Sequence, residues 1–157
     1  MKILLSYDSN ILQQRLYSLV TGISGVEIVA GVENLDEMML QARLQNPKIV
    51  IIAFESSDQL ISSKLKDVKG TEMHPIIILF GNKLSREYRT YWKQAGVDYV
   101  FDNLNELHKV VNILCKVLYE QQLFLMLSNS DKKNKQLPSP PSVGFKKSEF
   151  SKQNYVG

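Results

Sequence analysis

The sequence predicts an α/β protein built on a doubly wound parallel sheet of five strands. Three observations carry the prediction. Five short apolar runs recur along the first four fifths of the chain. Four of them are rich in β-branched or aromatic residues, and several are continuous, as strands covered by helices on both faces are. Each run is followed by a segment with helical spacing of its apolar residues, giving the order βαβαβαβαβα expected of right-handed crossover units.

The elements follow in order. Ile3-Leu4-Leu5 is the first strand, read over residues 2–6. Asp8-Ser9-Asn10 then offers N-cap chemistry to a helix carrying Ile11-Leu12, Leu16 and Leu19-Val20. The second strand is Val26–Val32, and Asn34 and Asp36 precede a helix with Met38-Met39, Ala42 and Leu44. The third strand runs over residues 49–54, and residues 58–68 form a short amphipathic helix through Leu60-Ile61, Leu65 and Val68. The fourth strand is Ile76–Phe80. Ser85 with Glu87 opens the next helix, which passes Tyr88, Tyr91-Trp92 and Ala95 and stops at Gly96. Tyr99-Val100-Phe101 is the fifth strand. Asn105 begins the last helix, which carries Leu107, Val110-Val111, Leu114 and Val117-Leu118 and runs on through Leu123 to Leu127. Pro47 and Pro75 stand just before strands, where a missing N–H is tolerated.

The chain has 157 residues, enough for one domain with an appendage. No apolar run approaches the roughly 18–20 residues of a membrane span, and MKILLSYDSN has too short an apolar stretch for a secretory signal. A cytoplasmic protein with no membrane partner is expected. The single cysteine, Cys115, excludes an internal disulfide and a cysteine-cluster metal site, and its place near an apolar stripe reads as a core thiol. The net charge is +3, but residues 128–157 hold six lysines and two acids, a net +4, leaving the rest at −1. The basic pI therefore belongs to the tail and gives no reason to expect nucleic acid on the domain. The division is a domain over residues 1–127 and a Pro/Ser/Lys-rich tail over 128–157, expected to be disordered or docked only locally.

The third strand poses the functional question. In an open α/β sheet, ligands sit at the carboxyl ends of the strands. In PKIVIIAFESSD that end holds Ala53 and Phe54.

Residues 1–125 resemble the receiver domain of bacterial two-component response regulators. The resemblance rests on KILLSYDSN, NPKIVIIAF, HPIIILFGN and QAGVDYVFDNLNEL, in that order and at matching spacing. It implies a flavodoxin-like (βα)5 fold with strand order 2-1-3-4-5. It also implies phosphoryl transfer to an aspartate. In that chemistry carboxylates after the first strand hold Mg²⁺, and a Ser/Thr and a Lys stabilise the phosphoryl group.

Carried onto this chain, the paired acids fall on Tyr7 and Asp8, and the phospho-acceptor on Ala53. The Ser/Thr falls on Phe80, the small residue after it on Gly81, and the Lys on Asn103. The Asn103 register is open by one residue, and neither Asp102 nor Leu104 restores the Lys. Of these positions only Asp8 keeps its chemistry, and it is read as an N-cap of the following helix ahead of a metal ligand. The resemblance is thus to an atypical, or pseudo-, receiver. Phosphorylation and Mg²⁺ binding are expected to be lost, with no cofactor, no enzymatic activity and no metal ligands. Glu55 and Asp58 as replacement carboxylates, and Ser56 or Ser57 as phosphorylation sites, rank well below this.

Two surfaces stand out as contacts. Tyr88, Tyr91 and Trp92, interleaved with Arg86, Arg89 and Lys93, have the composition of a protein interface. The other reading turns Trp92 inward and lays the tyrosines on the surface. Leu123–Leu127 is apolar all round and suits a homodimer or a protein partner. His74 and His108 have no partner at metal-ligand spacing. The function expected is signalling by protein–protein contact. A small-molecule sensor using the remodelled strand ends near Ala53, Phe80 and Asn103 comes second. A nucleic-acid-associated regulator acting through the basic tail comes last, since no DNA-binding pattern follows the domain.

Overall fold

The structure is a computed structural model that describes residues 1–53, 59–70, 74–81, 85–102, 105–130 and 138–144, the side chains of Gln59 and Leu60 excepted. Ten elements alternate: β1 (Lys2–Tyr7), α1 (Asn10–Thr21), β2 (Glu27–Val32), α2 (Leu35–Gln45), β3 (Ile49–Ala53), α3 (Gln59–Lys69), β4 (Ile76–Gly81), α4 (Arg86–Gln94), β5 (Tyr99–Asp102) and α5 (Leu107–Ser128). The strands pair in parallel in the order β2-β1-β3-β4-β5. This is the doubly wound sheet that the alternating pattern predicts, in the flavodoxin-like order that the resemblance implies.

Strand alternation divides the core in two. Ile3, Leu5 and Tyr7 of β1 face one side with Ile49, Ile51 and Ala53 of β3, where α1 and α5 cover them through Leu12, Leu16, Val110 and Leu114. Leu4, Val50, Ile52, Ile77 and Leu79 face the other side, under α2, α3 and α4. The continuous run of β3 is explained by this arrangement: all five of its residues are buried because both faces are covered.

Local signals set several boundaries. Asn34 caps α2, its Oδ1 accepting from Glu37 N at 2.8 Å. That helix ends at Asn46, whose φ of 47° is the left-handed conformation asparagine tolerates, and Pro47 follows. Ser85 caps α4, its Oγ accepting from Tyr88 N at 3.2 Å, and Gly96 leaves that helix at φ +101°. The last helix departs from expectation. It begins at Leu107 rather than Asn105, because the Glu106 carboxylate is turned back to the β5 backbone.

By length and composition α5 is apolar enough to cross a membrane. Its first half, however, is core: Val110, Leu114, Val117 and Leu118 pack on the sheet.

Candidate functional site

The strand register brings the sequence-predicted positions into one row. Tyr7 on β1 pairs with Ala53 on β3, Ala53 with Phe80 on β4, and Phe80 with Phe101 on β5. Residues in parallel register share a face, so the four project on the α1/α5 side at the carboxyl edge of the sheet. Ala53 is 0%, Phe80 1% and Tyr7 5% exposed. The Phe80 and Phe101 rings lie 5.7 Å apart at a 46° tilt, within the range of favourable aromatic contacts.

Tyr7 is held on two sides. Its Oη accepts a hydrogen bond from Gln13 Nε2 of α1 at 2.5 Å. Its ring passes close to Gly31 of β2, where an added Cβ would lie 3.1 Å from the phenol oxygen. Gly31 thus leaves the space that Tyr7 fills, a dependence the sequence reading missed. Two strands must be placed side by side before it is visible.

Asp8 is exposed, and its backbone N–H donates to Ala53 O at 3.2 Å, prolonging the β1/β3 ladder. The α1 N-cap is Ser9, not Asp8, and Ser9 makes no side-chain capping bond. Gly81 is half-buried and pairs with Asp102. Asn103 lies outside the described residues, as do Glu55, Ser56, Ser57 and Asp58. Among the described residues, no three His, Cys, Asp or Glu side chains gather as a metal site. Cys115 is half-buried, and burial pushes its thiol upward, away from the reactive thiolate.

The second predicted surface divides. Trp92 is 1% exposed and belongs to the core under α4, its indole N–H without a hydrogen-bond partner among the described residues. Tyr91 is 42% exposed and Tyr88 half-buried, and both rings meet Trp92 edge-on at 5.2 and 5.7 Å. The face open to a partner is therefore carried by Tyr91 and part of Tyr88, with exposed Arg86 and Lys93 beside them.

Arg89 does not join that face. Its Nη1 donates to Val100 O at 2.7 Å and its Nη2 to Glu106 Oε2 at 3.2 Å. Glu106 also accepts from Asp102 N at 2.6 Å and pairs with Lys109. The Lys109 ammonium, then the Asp102 N–H, then the Arg89 guanidinium hold the Glu106 carboxyl down at about 2. Lys109 also sits 5.9 Å from the centroid of the Phe101 ring. One carboxylate thus ties α4, β5 and the entry of α5 together, at the edge of the sheet where Asn103 follows. The far end of α5 leaves Phe124, Leu125 and Leu127 largely exposed.

No protein-family model matches the chain, and no curated protein matches it. Solved structures do. The fold is that of response-regulator receiver domains. The chain is similar to a LuxR-family two-component response regulator from Aurantimonas sp. SI85-9A1, at 16% identity over 74% of this chain and 84% of that one, with a TM-score of 0.65. It is similar to a LuxR-family DNA-binding response regulator from Staphylococcus aureus, at 20% identity over 74% and 97%, TM-score 0.63. It is also similar to the response regulator domain of Thermotoga maritima CheB, at 12% identity over 76% and 94%, TM-score 0.61.

Proposed function

We propose that this protein is a receiver-like signalling module that takes no phosphoryl group and works by protein–protein contact. One observation carries the reading: the row Tyr7, Ala53, Phe80, Phe101 puts apolar and aromatic packing where a phosphoryl site needs a nucleophile and oxygen-binding groups. A methyl group cannot be phosphorylated. Mg²⁺ asks for several oxygen ligands, and at the end of β1 the chain offers one carboxylate, Asp8, beside a phenol already engaged by Gln13. The residues described do not fit that ion, and no step is routed through it. The domain is read as non-enzymatic and cytoplasmic, with no cofactor.

Output then falls to surfaces. The α4 face with Tyr91 and Tyr88 offers an aromatic, cation-flanked contact for a protein partner. The exposed end of α5 offers an apolar one, suited to a homodimer. A small-molecule sensor at the strand ends is supported less well, since Tyr7, Ala53 and Phe80 are already enclosed.

The test is incubation with acetyl phosphate, and separately with a beryllofluoride salt, each with Mg²⁺. Intact mass and amide NMR spectrum should both stay unchanged. A stoichiometric adduct, or shifts clustered at the strand ends, would sink the proposal.

A further inference from the structure

An open sheet has two edges, and each presents backbone N–H and C=O groups that no neighbouring strand takes. This chain treats its two edges differently. β5 is four residues long, and side chains meet its backbone. The Val100 carbonyl accepts from Arg89, and the Asp102 N–H donates to the Glu106 carboxylate. β2, at the other edge, is six residues long. Among the described residues its backbone bonds only toward β1 and Met1 ahead of it. Ile28, Val29 and Ala30 are half-buried and Gly31 is exposed, so this edge is both apolar and reachable.

An acid stands at each end of it. Glu27 and Glu33 are both exposed, and neither joins an ion pair among the described residues. Lys2, in register with Glu27, turns its ammonium instead to Gln45 O at 3.5 Å. At about 3.3 Å per residue the two glutamates lie about 20 Å apart along the edge.

We infer that the β2 edge is a docking site for an extended peptide with an apolar, β-branched centre and a lysine or arginine at each end. Backbone pairing supplies the attachment, and the two glutamates select the ends. Charge favours this occupant over a second copy. Two β2 strands paired antiparallel about Ala30 would set Glu27 opposite Glu33 at both ends, and like charges directly opposite are destabilising. The shape of the edge agrees. The β1/β2 register shifts between Ile3 and Leu4, with Val29 as the extra residue. Such an irregularity bends and twists the strand. A short flexible peptide follows that twist, and the edge of a second rigid sheet does not. This inference stands apart from the phosphorylation reading and from the α4 and α5 surfaces, because it depends on β2 alone.

The experiment uses the full chain and three synthetic peptides blocked at both termini, KTVTVTK, ETVTVTE and KTPPPTK. KTVTVTK should shift the β2 amide resonances saturably and slow hydrogen exchange at those amides that do not bond to β1. ETVTVTE should bind at least about tenfold more weakly, two attractive end contacts having become repulsive. KTPPPTK, whose centre has no N–H to give, should leave the β2 amides in place. Glu27→Lys combined with Glu33→Lys should reverse the order of the two charged peptides. The β3 amides should stay in place throughout and report an intact fold. β2 amides indifferent to KTVTVTK would overturn the inference. So would equal binding of KTVTVTK and ETVTVTE, since the glutamates would then select nothing. Slow exchange along the whole of β2 before any peptide is added would overturn it by showing the edge already covered. Shifts that grow with protein concentration alone would do the same by assigning the edge to a second copy.

Discussion

Ala53→Asp places a carboxyl at the strand end and measures how closed that end is. Ala53 is fully buried, with Tyr7 and Phe80 as its in-register neighbours. Added volume in a packed site costs about 1–3 kcal/mol. An ionised carboxylate there without a cation partner raises the total to about 3–5 kcal/mol. Desolvation lifts the folded-state pKa above the unfolded value of about 3.9. The ionisation part of the penalty is then absent below pH 4. It grows by about 1.4 kcal/mol for each pH unit between the unfolded and folded pKa values. Urea unfolding of variant and wild type, followed by circular dichroism at pH 4 and pH 7, reads both parts. The expected loss is about 2 kcal/mol larger at pH 7 than at pH 4, with the denaturant slope unchanged. Acetyl phosphate with Mg²⁺ should leave the variant's mass unaltered, because Tyr7 and Phe80 still occupy the site. A loss under about 1 kcal/mol, equal at both pH values, would mean a hydrated and open strand end. Stoichiometric phosphorylation of the variant would refute the reasoning outright.

Glu106→Gln should destabilise the protein by about 1–2 kcal/mol at pH 7, less than the full shift implies because the cluster is partly solvated. The Glu106 carboxyl is depressed in the folded state to about 2. Its contribution is therefore complete above the unfolded value of about 4.5 and fades as pH falls toward 2. The gap between variant and wild type should close over that range in the same urea assay, and a pH-independent gap would deny the ion pairing. Tyr91→Ala should weaken capture of a partner on immobilised protein at least tenfold with the melting temperature unchanged, and undiminished capture would move the interface elsewhere. Phe124→Lys should shift any self-associated species to monomer in light scattering. An oligomer indifferent to this change would exclude the α5 end as its contact.

The fold was legible because parallel sheets write themselves into sequence strongly. The unbroken Ile49–Ile52 run can only be a strand covered twice or a buried helix segment, and Pro47 with the polar residues after Phe54 makes it too short for the helix. Asn34 and Ser85 announced their helices because capping is local chemistry between residues three apart. The row at the strand ends was legible one position at a time, by laying the family's pattern over Tyr7, Ala53 and Phe80. What stayed hidden is whatever needs two elements at once. Nothing in the spacing of Arg89 and Glu106 says that they meet; the packing of α4 beside β5 brings them together. The same packing turns Trp92 inward and Tyr91 out, though both sit on one aromatic stretch. The antiparallel bridge from Val143 to Ile23 has almost no apolar signal, because the contact with Gly22 and Ile23 is made by backbone.

The strand-end side chains are best understood as one physical set. Four side chains in register on one face share a single volume and a single electrostatic environment. A carboxylate placed alone among Phe80, Phe101 and Tyr7 would be an uncompensated buried charge, and a lysine without that carboxylate would be another. Partial versions of the site are therefore less stable than either a complete charged set or a complete apolar one. Tyr7 extends the apolar set beyond the row, taking the space over Gly31 and spending its one polar atom on Gln13. That coupling makes a specific demand on any attempt to seat a carboxylate there. Ala53→Asp combined with Phe80→Thr and Tyr7→Ser should recover part of the stability that Ala53→Asp loses alone, because each further change supplies space or a hydroxyl partner for the carboxylate without adding a second charge. If the triple variant is instead less stable than the sum of its single changes, the row is not acting as a unit.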